Sequence, residues 1–486
     1  MARLLFVVAV FFLGCVGTVA AWTQCDDEDG GGICPDYATC CSSGTPGQSF
    51  CLPGRRSHSE KEGSCCSDRV TGCGMGFDCI FNDDGEPYCK HTDRAPKDQQ
   101  HDVPRYKLRS MEDTTPLVEI YGFPMNDDFQ AAYYSNMKEI NSKDPSVITK
   151  HMKVERAIIT VHGSSRNADE YLFGTYSVIP DDVDPETILI IAPYYVAEEE
   201  TLVNTTDTQR TVLNWYDIDP LHPGTVHTFR MGVDAANAPI SSFQVLDEIV
   251  QYLVKARVQY PNLKDIVVTG HSAGGQLVHR WALLSNIPAW NDSYDDTHMN
   301  HDQQSTIRRQ RRILPMPSLR VVPANPRSYC YLDARRWIHN GTVFDIPDQE
   351  SFDLFYSNNE DEDDERADDS CNSYNHWTWG LGSGSEIPCP YKDRTLAKVP
   401  LEDLIHRYNA RPVIYLSGEF DTILQDDTCA DQLQGSTRKE RSERFYKGLQ
   451  EIFGTEQVNH ERWLVESSHD HRLMYQGEAG QQALFG

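Results

Sequence analysis

The segment Gly270–Gly274, with the sequence GHSAG, has the residue types and spacing of a serine nucleophile held in a tight turn. An apolar, strand-like run from Ile266 to Thr269 precedes it, and a helical run from Gly275 to Ser285 follows it. In a strand–turn–helix of this kind the central Ser272 projects its hydroxyl from a strained turn, which side chains two positions away would crowd. The pattern predicts a nucleophilic serine; the alternative is an ordinary glycine-rich turn.

An acid that could orient a base follows a second strand-like run, Val413 to Leu416. The segment after it contains Glu419 and Asp421, and the carboxyl end of a strand lies at the edge of the sheet where Ser272 would emerge. We predict Asp421 as the orienting carboxylate; Glu419 and a plain helix cap are the alternatives.

A base for the serine is expected in the loop after the last strand-like run, Arg462 to Val465. His469 is closer to the end of that strand than His471, and it is the predicted general base. His471 is the rival, which we expect to begin the last helical region and to face solvent.

A loop that could stabilise negative charge follows the buried-strand run Ala157–Val161. His162, Gly163 and Ser164 come next, and the backbone N–H of Ser164, together with that of Ala273 at the start of a helix, would form an oxyanion hole. We expect His162 to brace this loop rather than to act as a base.

Residues 111–486 resemble a secreted alpha/beta-hydrolase of the esterase and lipase type, through the segments HGSSRNADEY, IAPYY, GHSAGG, GEFDT and SSHDH in that order. The resemblance implies an α/β fold with a mostly parallel sheet and helices on both faces. It also implies acyl transfer from a carboxylic ester through an acyl-serine, and it calls for no cofactor or metal. The long stretch from about 323 to 412 exceeds a single crossover connection and predicts a cap insertion over the site.

The first 21 residues have the pattern of a cleaved signal peptide. Arg3 supplies positive charge, Leu4 to Val16 supplies an apolar core, and Val19-Ala20-Ala21 supplies small residues for cleavage. The core is too short for a membrane span, although a retained signal anchor is the alternative. Because export leads to an oxidising compartment, a secreted, extracellular protein with disulfide bonds is expected.

The cysteines are concentrated between residues 22 and 90, and this region contains two pairs of adjacent cysteines, Cys40-Cys41 and Cys65-Cys66. It resembles a granulin module in which Leu52 and Gly72 replace two cysteines that granulins bond to each other. The alternative is a generic cysteine-rich knot. The resemblance implies five disulfides: Cys25–Cys40, Cys34–Cys51, Cys41–Cys65, Cys66–Cys79 and Cys73–Cys89.

A polar, proline-containing segment at 91–110 is predicted to link this module to the hydrolase domain. Within that domain Cys371 and Cys389 bracket an aromatic cluster at 374–379. They are expected to pair, which would leave Cys330 to pair with Cys429, but three connectivities are open. The cluster is either a substrate-binding wall or part of the core of the cap, and we favour the core.

A net charge of −29 argues against a general nucleic-acid partner and against binding to anionic membrane surfaces. The basic run Arg308–Arg312 is either a processing site for a secretory-pathway protease after Arg312 or an exposed loop. Three sequons, at Asn204, Asn291 and Asn340, predict surface glycosylation in a eukaryotic host.

The sequence therefore favours a secreted serine hydrolase of carboxylic esters, with lipid and polymeric esters both open as substrates. A serine peptidase or amidase is the first alternative, because the same residues cleave both bonds. The second alternative is a binding protein that keeps a retired hydrolase fold. The cysteine-rich module could bind a polymer or a cell surface, or could protect the enzyme.

Overall fold

The computed structural model divides the chain into two units, Met1–Leu108 and Arg109–Gly486. In the first unit it describes short stretches of backbone strand alone. In the second it describes residues 119–198, 205–217, 228–288, 316–339, 341–349, 351–352, 371–384, 387–424 and 428–486.

The described backbone of the first unit consists of short strands joined mostly as antiparallel pairs: β1 with β2, β3 with β4, β5 with β6, and β7 with β8, which also pairs with β9. The strands are β1 Trp22–Gln24, β2 Ile33–Pro35, β3 Ala38–Ser42, β4 Ser49–Pro53, β5 Ser64–Cys65, β6 Gly72–Cys73, β7 Phe77–Phe81, β8 Pro87–His91 and β9 Asp102–Val103. The predicted signal peptide, granulin-like disulfides and linker lie outside the residues whose side chains are described, and they stay predictions.

The second unit is built on one large sheet with small strand pairs around it. Its strands are β10 Tyr121–Pro124, β11 Phe129–Ser135, β12 Arg156–Val161, β13 Ile188–Tyr194, β14 Val196–Ala197, β15 Thr211–Val212, β16 Asn214–Trp215, β17 Asp234–Ala235, β18 Ala238–Ser241, β19 Asp265–His271, β20 Ser318–Ala324, β21 Arg336–Ile338, β22 Val343–Asp345, β23 Val413–Gly418 and β24 His460–Val465.

Strands of this sheet lie in the order β10-β11-β13-β12-β19-β20-β23-β24, with β15 beside β11. The pairs from β13 through β12, β19, β20 and β23 to β24 are parallel, whereas β10, β11 and β13 pair antiparallel. The prediction of a mostly parallel sheet is therefore confirmed. Strands β19, β20, β23 and β24 end at one edge, and the loops that follow them meet there.

Helices cover both faces of the sheet, as predicted. They are α1 Pro145–His151, α2 Ala168–Ser177, α3 Ser242–Lys255, α4 Ala273–Leu284, α5 Pro390–Leu396, α6 Leu401–Ala410, α7 Cys429–Gln432, α8 Arg438–Phe453, α9 His471–Gln476 and α10 Glu478–Phe485. Helices α3, α4, α6 and α8 contribute to one core cluster, and α2, α9 and α10 contribute to the other.

Alternation along the strands divides the apolar side chains between these two cores. Ala157 and Ile159 of β12 belong to the cluster under α3 and α4, whereas Ile158 between them belongs to the cluster under α2. All three are fully buried. Since neighbouring side chains of a strand point to opposite faces, an uninterrupted apolar run implies a sheet covered on both sides.

A directed chain of hydrogen bonds ties α4, α6, β23 and β24 together inside the larger core. His279 Nε2 accepts the backbone N–H of Cys330 (2.9 Å), so its protonated Nδ1 faces the hydroxyl of Tyr408 at 3.3 Å. His460 Nε2 donates to the carbonyl of Tyr408 (2.8 Å), so its Nδ1 accepts from the hydroxyl of Tyr415 (3.0 Å). Tyr408 must then donate to Tyr415, and both histidines are neutral.

The region predicted as a cap lies between β20 and β23 and contains the β21–β22 hairpin, α5 and α6. Trp377 is buried in the larger core, where its indole N–H donates to the carbonyl of Met231 (2.9 Å). Trp379 donates to Asp431 at 2.7 Å. These contacts support the core interpretation of the aromatic cluster, since the two indole N–H groups are taken up by the protein itself.

The predicted pairing of the four cysteines in this unit was wrong. Cys371 is bonded to Cys429, and Cys330 and Cys389 are free buried thiols. Cys389 donates to the carbonyl of Gly232 (3.3 Å), and burial raises the pKa of each free thiol to about 12. Proximity in sequence suggested the pair Cys371–Cys389, but α7 brings Cys429 to Cys371.

No helix in the described part of the chain is both long enough and apolar enough to cross a membrane. Within the same residues, no group of three or more histidine, cysteine, aspartate or glutamate side chains is placed to hold a metal ion.

Candidate active site

Ser272 lies in the sharp turn between β19 and α4, with φ 58° and ψ −116°. Its backbone N–H donates to the carbonyl of Ala324 at the end of the neighbouring strand β20 (3.0 Å). A residue other than glycine rarely adopts a positive φ, and such strain persists only where the surroundings enforce it. The strand–turn–helix context expected from the sequence is therefore present around this serine.

Two glycines make this turn possible because other backbone segments pass where a side chain would be. A Cβ on Gly274 would lie 2.2 Å from the carbonyl oxygen of Val161 and 2.6 Å from that of His162. A Cβ on Gly270 would lie 2.5 Å from the carbonyl oxygen of Gly274. The glycine positions thus bring the start of α4 against the end of β12.

Asp421 and His469 come together from the loops after β23 and β24. His469 Nδ1 donates to Asp421 Oδ2 at 2.7 Å, and the Asp421 side chain is fully buried. Burial alone would raise the pKa of Asp421, but the hydrogen bond from His469 and the charge of Arg438 outweigh it and lower the pKa. An ionised Asp421 holds the imidazole with Nε2 available as a proton acceptor.

The rival residues occupy different places. His471 begins α9 as expected, but the expectation that it faces solvent was wrong, because its ring is buried and stacks on Tyr171 with centroids 4.1 Å apart. Burial lowers the pKa of His471 to about 4. Glu419 donates its backbone N–H to the carbonyl of Val465 (2.8 Å), whereas it is Asp421 that contacts His469.

Asn325 was missed by the sequence analysis, although it joins both loops. Its side-chain oxygen accepts the backbone N–H of Gly418 (2.7 Å), and its amide donates to the carbonyl of Ser468 (3.0 Å), the residue before His469. Asn325 is buried and has φ 42°. The sequence feature that could have indicated Asn325 is its position directly after β20, the strand next to the one that carries Ser272.

The loop after β12 lies beside the turn that holds Ser272. A Cβ added to Gly163 would be 3.7 Å from the Cβ of Ser272. His162 braces this loop as expected: Nε2 accepts the backbone N–H of Tyr195 (3.1 Å), so Nδ1 donates to the carbonyl of Gly163 (2.8 Å). Both ring nitrogens are thereby engaged, which leaves neither for proton transfer.

The two predicted oxyanion donors are the backbone N–H groups of Ser164 and Ala273. Among the described residues no hydrogen bond uses either N–H. Ala273 is the first residue of α4, where N–H groups have no partner within the helix and the helix dipole favours negative charge.

His271, beside the nucleophile, forms part of a buried ring cluster that the sequence did not reveal. The hydroxyl of Tyr171 lies 3.2 Å from His271 Nδ1, and the ring of His271 lies 4.5 Å from that of His469. Burial, together with repulsion from the neighbouring histidines, lowers the pKa of His271 well below its usual value. A neutral His271 places no positive charge beside the ring of His469.

The asparagines of the three sequons and the basic run Arg308–Arg312 lie outside the described residues. Glycosylation and processing at these places stay predictions.

Comparison with known proteins gives structural similarity only. No protein-family model matches the sequence, and no curated protein matches it. Among solved structures, poly(aspartic acid) hydrolase-1 from Sphingomonas sp. KT-1 is 15% identical, with a TM-score of 0.41, over 76% of this chain and 98% of that chain. The poly(3-hydroxybutyrate) depolymerase LpqC from Bordetella parapertussis is 15% identical, with a TM-score of 0.38, over 72% and 82%. Est1E from Butyrivibrio proteoclasticus is 12% identical, with a TM-score of 0.30, over 75% and 96%. At these identities no activity follows from the similarity.

Proposed function

We propose that this protein hydrolyses carboxylic esters through an acyl-serine intermediate. The observation that carries the proposal is the hydrogen bond of 2.7 Å between His469 Nδ1 and the buried, ionised Asp421, in the loops that meet the strained turn of Ser272. A base oriented by a third group beside a partly exposed serine is the arrangement that acyl transfer requires.

In the proposed mechanism Ser272 Oγ attacks the ester carbonyl carbon while His469 Nε2 takes the hydroxyl proton. The negative charge that develops on the carbonyl oxygen is held by the N–H groups of Ser164 and Ala273. His469 then gives its proton to the departing alcohol, which leaves Ser272 acylated. A water molecule, deprotonated by His469, then attacks the acyl-serine. His469 returns the proton to Ser272 Oγ, which releases the carboxylic acid and restores the serine.

A fluorophosphonate probe tests for the nucleophile, because it reacts with activated serines. Mass mapping should find the label on Ser272, and S272A should lose both the label and the hydrolysis of 4-nitrophenyl esters. Cleavage of peptides without cleavage of esters would instead identify a peptidase. A folded chain that takes no label and turns over neither substrate would be a binding protein with a retired hydrolase fold.

We also propose that the chain is exported and that its first unit is a granulin-like module. Support comes from the leader at 1–21, the ten cysteines between Cys25 and Cys89, and the disulfide Cys371–Cys429, a bond that persists in oxidising compartments. The module would hold a polymeric substrate or a cell surface near the hydrolase. Processing after Arg312 and glycosylation at Asn204, Asn291 and Asn340 belong to the same proposal.

A further inference from the structure

Arginines from three separate segments lie close to residues of the candidate site. Arg230 lies in a short 3-10 helix, Thr228–Met231, whose Phe229 packs on the ring of His162 with centroids 4.9 Å apart. Arg327 follows β20 three residues after Ala324, the acceptor for the N–H of Ser272. Arg438 begins α8 and lies 3.5 Å from Asp421. This concentration of cations contrasts with a chain of net charge −29.

Arg230 is partly exposed, and its side chain makes no hydrogen bond in the described part of the chain; its Nε is buried and unpaired. Burial, with a smaller contribution from the charge of Arg327, lowers the pKa of Arg230 to about 10 against the opposing charge of Asp431, so the group stays charged at neutral pH. A guanidinium held near another cation without an acceptor is costly unless an anion completes the site. An anionic ligand would supply the acceptor that the guanidinium of Arg230 lacks.

Two further arginines, both fully buried, hold the first two in place. Arg280 donates to the backbone carbonyl of Arg230 (3.0 Å) and to the hydroxyl of Ser328 (3.2 Å). Arg441 donates to the backbone carbonyl of Arg327 (2.9 Å). The backbone segments that carry Arg230 and Arg327 are therefore held in place by buried side chains. Such support is typical of a preorganised binding site.

The acidic groups near these arginines are already engaged. Asp421 accepts from His469 and faces Arg438, and Asp431 accepts the indole N–H of Trp379 at 2.7 Å. Asp431 also forms an ion pair with Arg327, whose Nε lies 3.7 Å from Asp431 Oδ2. Among these five arginines, Arg230 is the one whose guanidinium has neither a hydrogen bond nor an ion pair within the described residues.

We propose that Arg230 and Arg327 bind a carboxylate of the substrate, so that the preferred esters are acidic molecules with a carboxylate a few bonds from the scissile carbonyl. A guanidinium presents N–H donors in a planar fork that matches a carboxylate. Arg327 is only three residues from the backbone that holds Ser272, so the carboxylate and the ester would be bound together. This inference rests on the proposed ester hydrolysis for its kinetic test but not for its binding test.

The kinetic test compares two 4-nitrophenyl esters, the adipate monoester and the uncharged hexanoate, each corrected for spontaneous hydrolysis. The wild-type protein should prefer the adipate monoester in kcat/KM by tenfold or more, and R230Q should reduce that preference by about ten- to a hundredfold, as expected for a charge-assisted hydrogen bond. R327Q should reduce it in the same direction. K447Q removes an exposed cation from the same helix as Arg438 and should leave the preference unchanged.

Calorimetric titration with sodium adipate provides the test that does not depend on turnover. Saturable binding that weakens by tenfold or more in R230Q would support the site even if neither ester is hydrolysed, which would refute only the proposed activity. An equal ester preference in the wild type and R230Q, or adipate binding that R230Q leaves unchanged, would overturn the inference. Thermal unfolding of each variant verifies that it is folded.

Discussion

The orientation of His469 depends on residues from two other loops, because Asp421 binds its ring while Asn325 holds the backbone just before it. Asn325 also holds Gly418 at the end of β23, so one side chain sets the distance between the acid and base loops. It touches no reacting atom and is therefore a positioning residue.

Replacing Asn325 by alanine should lower both stability and turnover. The N–H of Gly418 and the carbonyl of Ser468 would lose their partners, at about 1–3 kcal/mol for each stranded group. A small displacement of His469 should lower kcat by about a hundredfold. Steady-state kinetics and urea unfolding measure the two effects.

Asn136 offers a matched control, because its side chain also bridges two backbone groups, the carbonyl of Ile188 and the N–H of Ile190, both at 2.8 Å. N136A should lose stability without a comparable fall in kcat. An N325A variant that is destabilised but keeps the full wild-type turnover would show that Asn325 has only a structural role.

His469 and His471 should respond differently to substitution. H469A should reduce turnover by several orders of magnitude, since it removes the base that Asp421 orients. H471Q should mainly reduce stability, because it removes a buried ring stacked on Tyr171. Rates for a 4-nitrophenyl ester and melting temperatures distinguish the two, and an inactive, stable H471Q beside an active H469A would reverse our assignment.

Much of the candidate site could be predicted because its residues follow strand-like runs in a fixed chain order. Ser272, Asp421 and His469 were placed in that way, and the structure brings the last two into contact. Asn325, Arg230 and Arg438 could not be found, since their roles depend on distances between segments far apart in sequence. No local pattern encodes such distances.

At the scale of secondary structure elements, the chain from His279 through Tyr408 and Tyr415 to His460 joins two helices to two strands. Burial is the main cause that lowers the pKa of both histidines, to about 4 for His460. Protonating either one would place a donor where an acceptor is required. The hydrogen bonds that join these helices and strands therefore require both histidine rings to be neutral.

Stability should therefore fall in acid. Below the usual histidine pKa of about 6.5, these histidines are protonated in the unfolded chain but stay neutral in the folded chain. The free energy of unfolding therefore decreases as the pH falls from about 6.5 toward 4. Each such histidine contributes a slope of about 1.4 kcal/mol per pH unit. Urea unfolding at several pH values measures this slope.

H460Q should reduce the slope by about the contribution of one histidine, because glutamine can donate to Tyr408 and accept from Tyr415 without titrating. H406Q, at an exposed position of the same helix α6, should leave the slope unchanged. Identical slopes for H460Q and the wild type would mean that His460 does not take part in the acid response.

The elements themselves were largely predictable, because apolar runs marked the buried parallel strands. The run Ala157–Val161 lies within β12, and Val413 to Leu416 lies within β23. The cysteine pairing was not predictable, since it depends on how the segment around Cys371 packs against α7. Spacing along the chain carries no information about that contact.

At the scale of the whole molecule, the described part of the chain contains one disulfide, Cys371–Cys429, and two free thiols, Cys330 and Cys389. Both are buried, and burial raises the pKa of each to about 12, so the reactive thiolate is scarce. The folded protein should therefore resist alkylation at these positions.

Denaturing the protein without reducing it should expose these two thiols to iodoacetamide, whereas the native protein should take up no label. Peptide mapping should place the label on Cys330 and Cys389, and the variant with serine at both positions should take up none in the second unit, Arg109–Gly486. A label on Cys371 or Cys429 without reduction would contradict the observed bond.

The bond between Cys371 and Cys429 closes a covalent ring that spans 58 positions of sequence and contains β23 and Asp421. A protease that cuts the chain once inside this ring would produce two fragments that remain joined. The acid would therefore stay attached to both β20 and α8 after such a cut. If the proposed export and activity hold, a nicked molecule should remain active until a reductant reaches the bond.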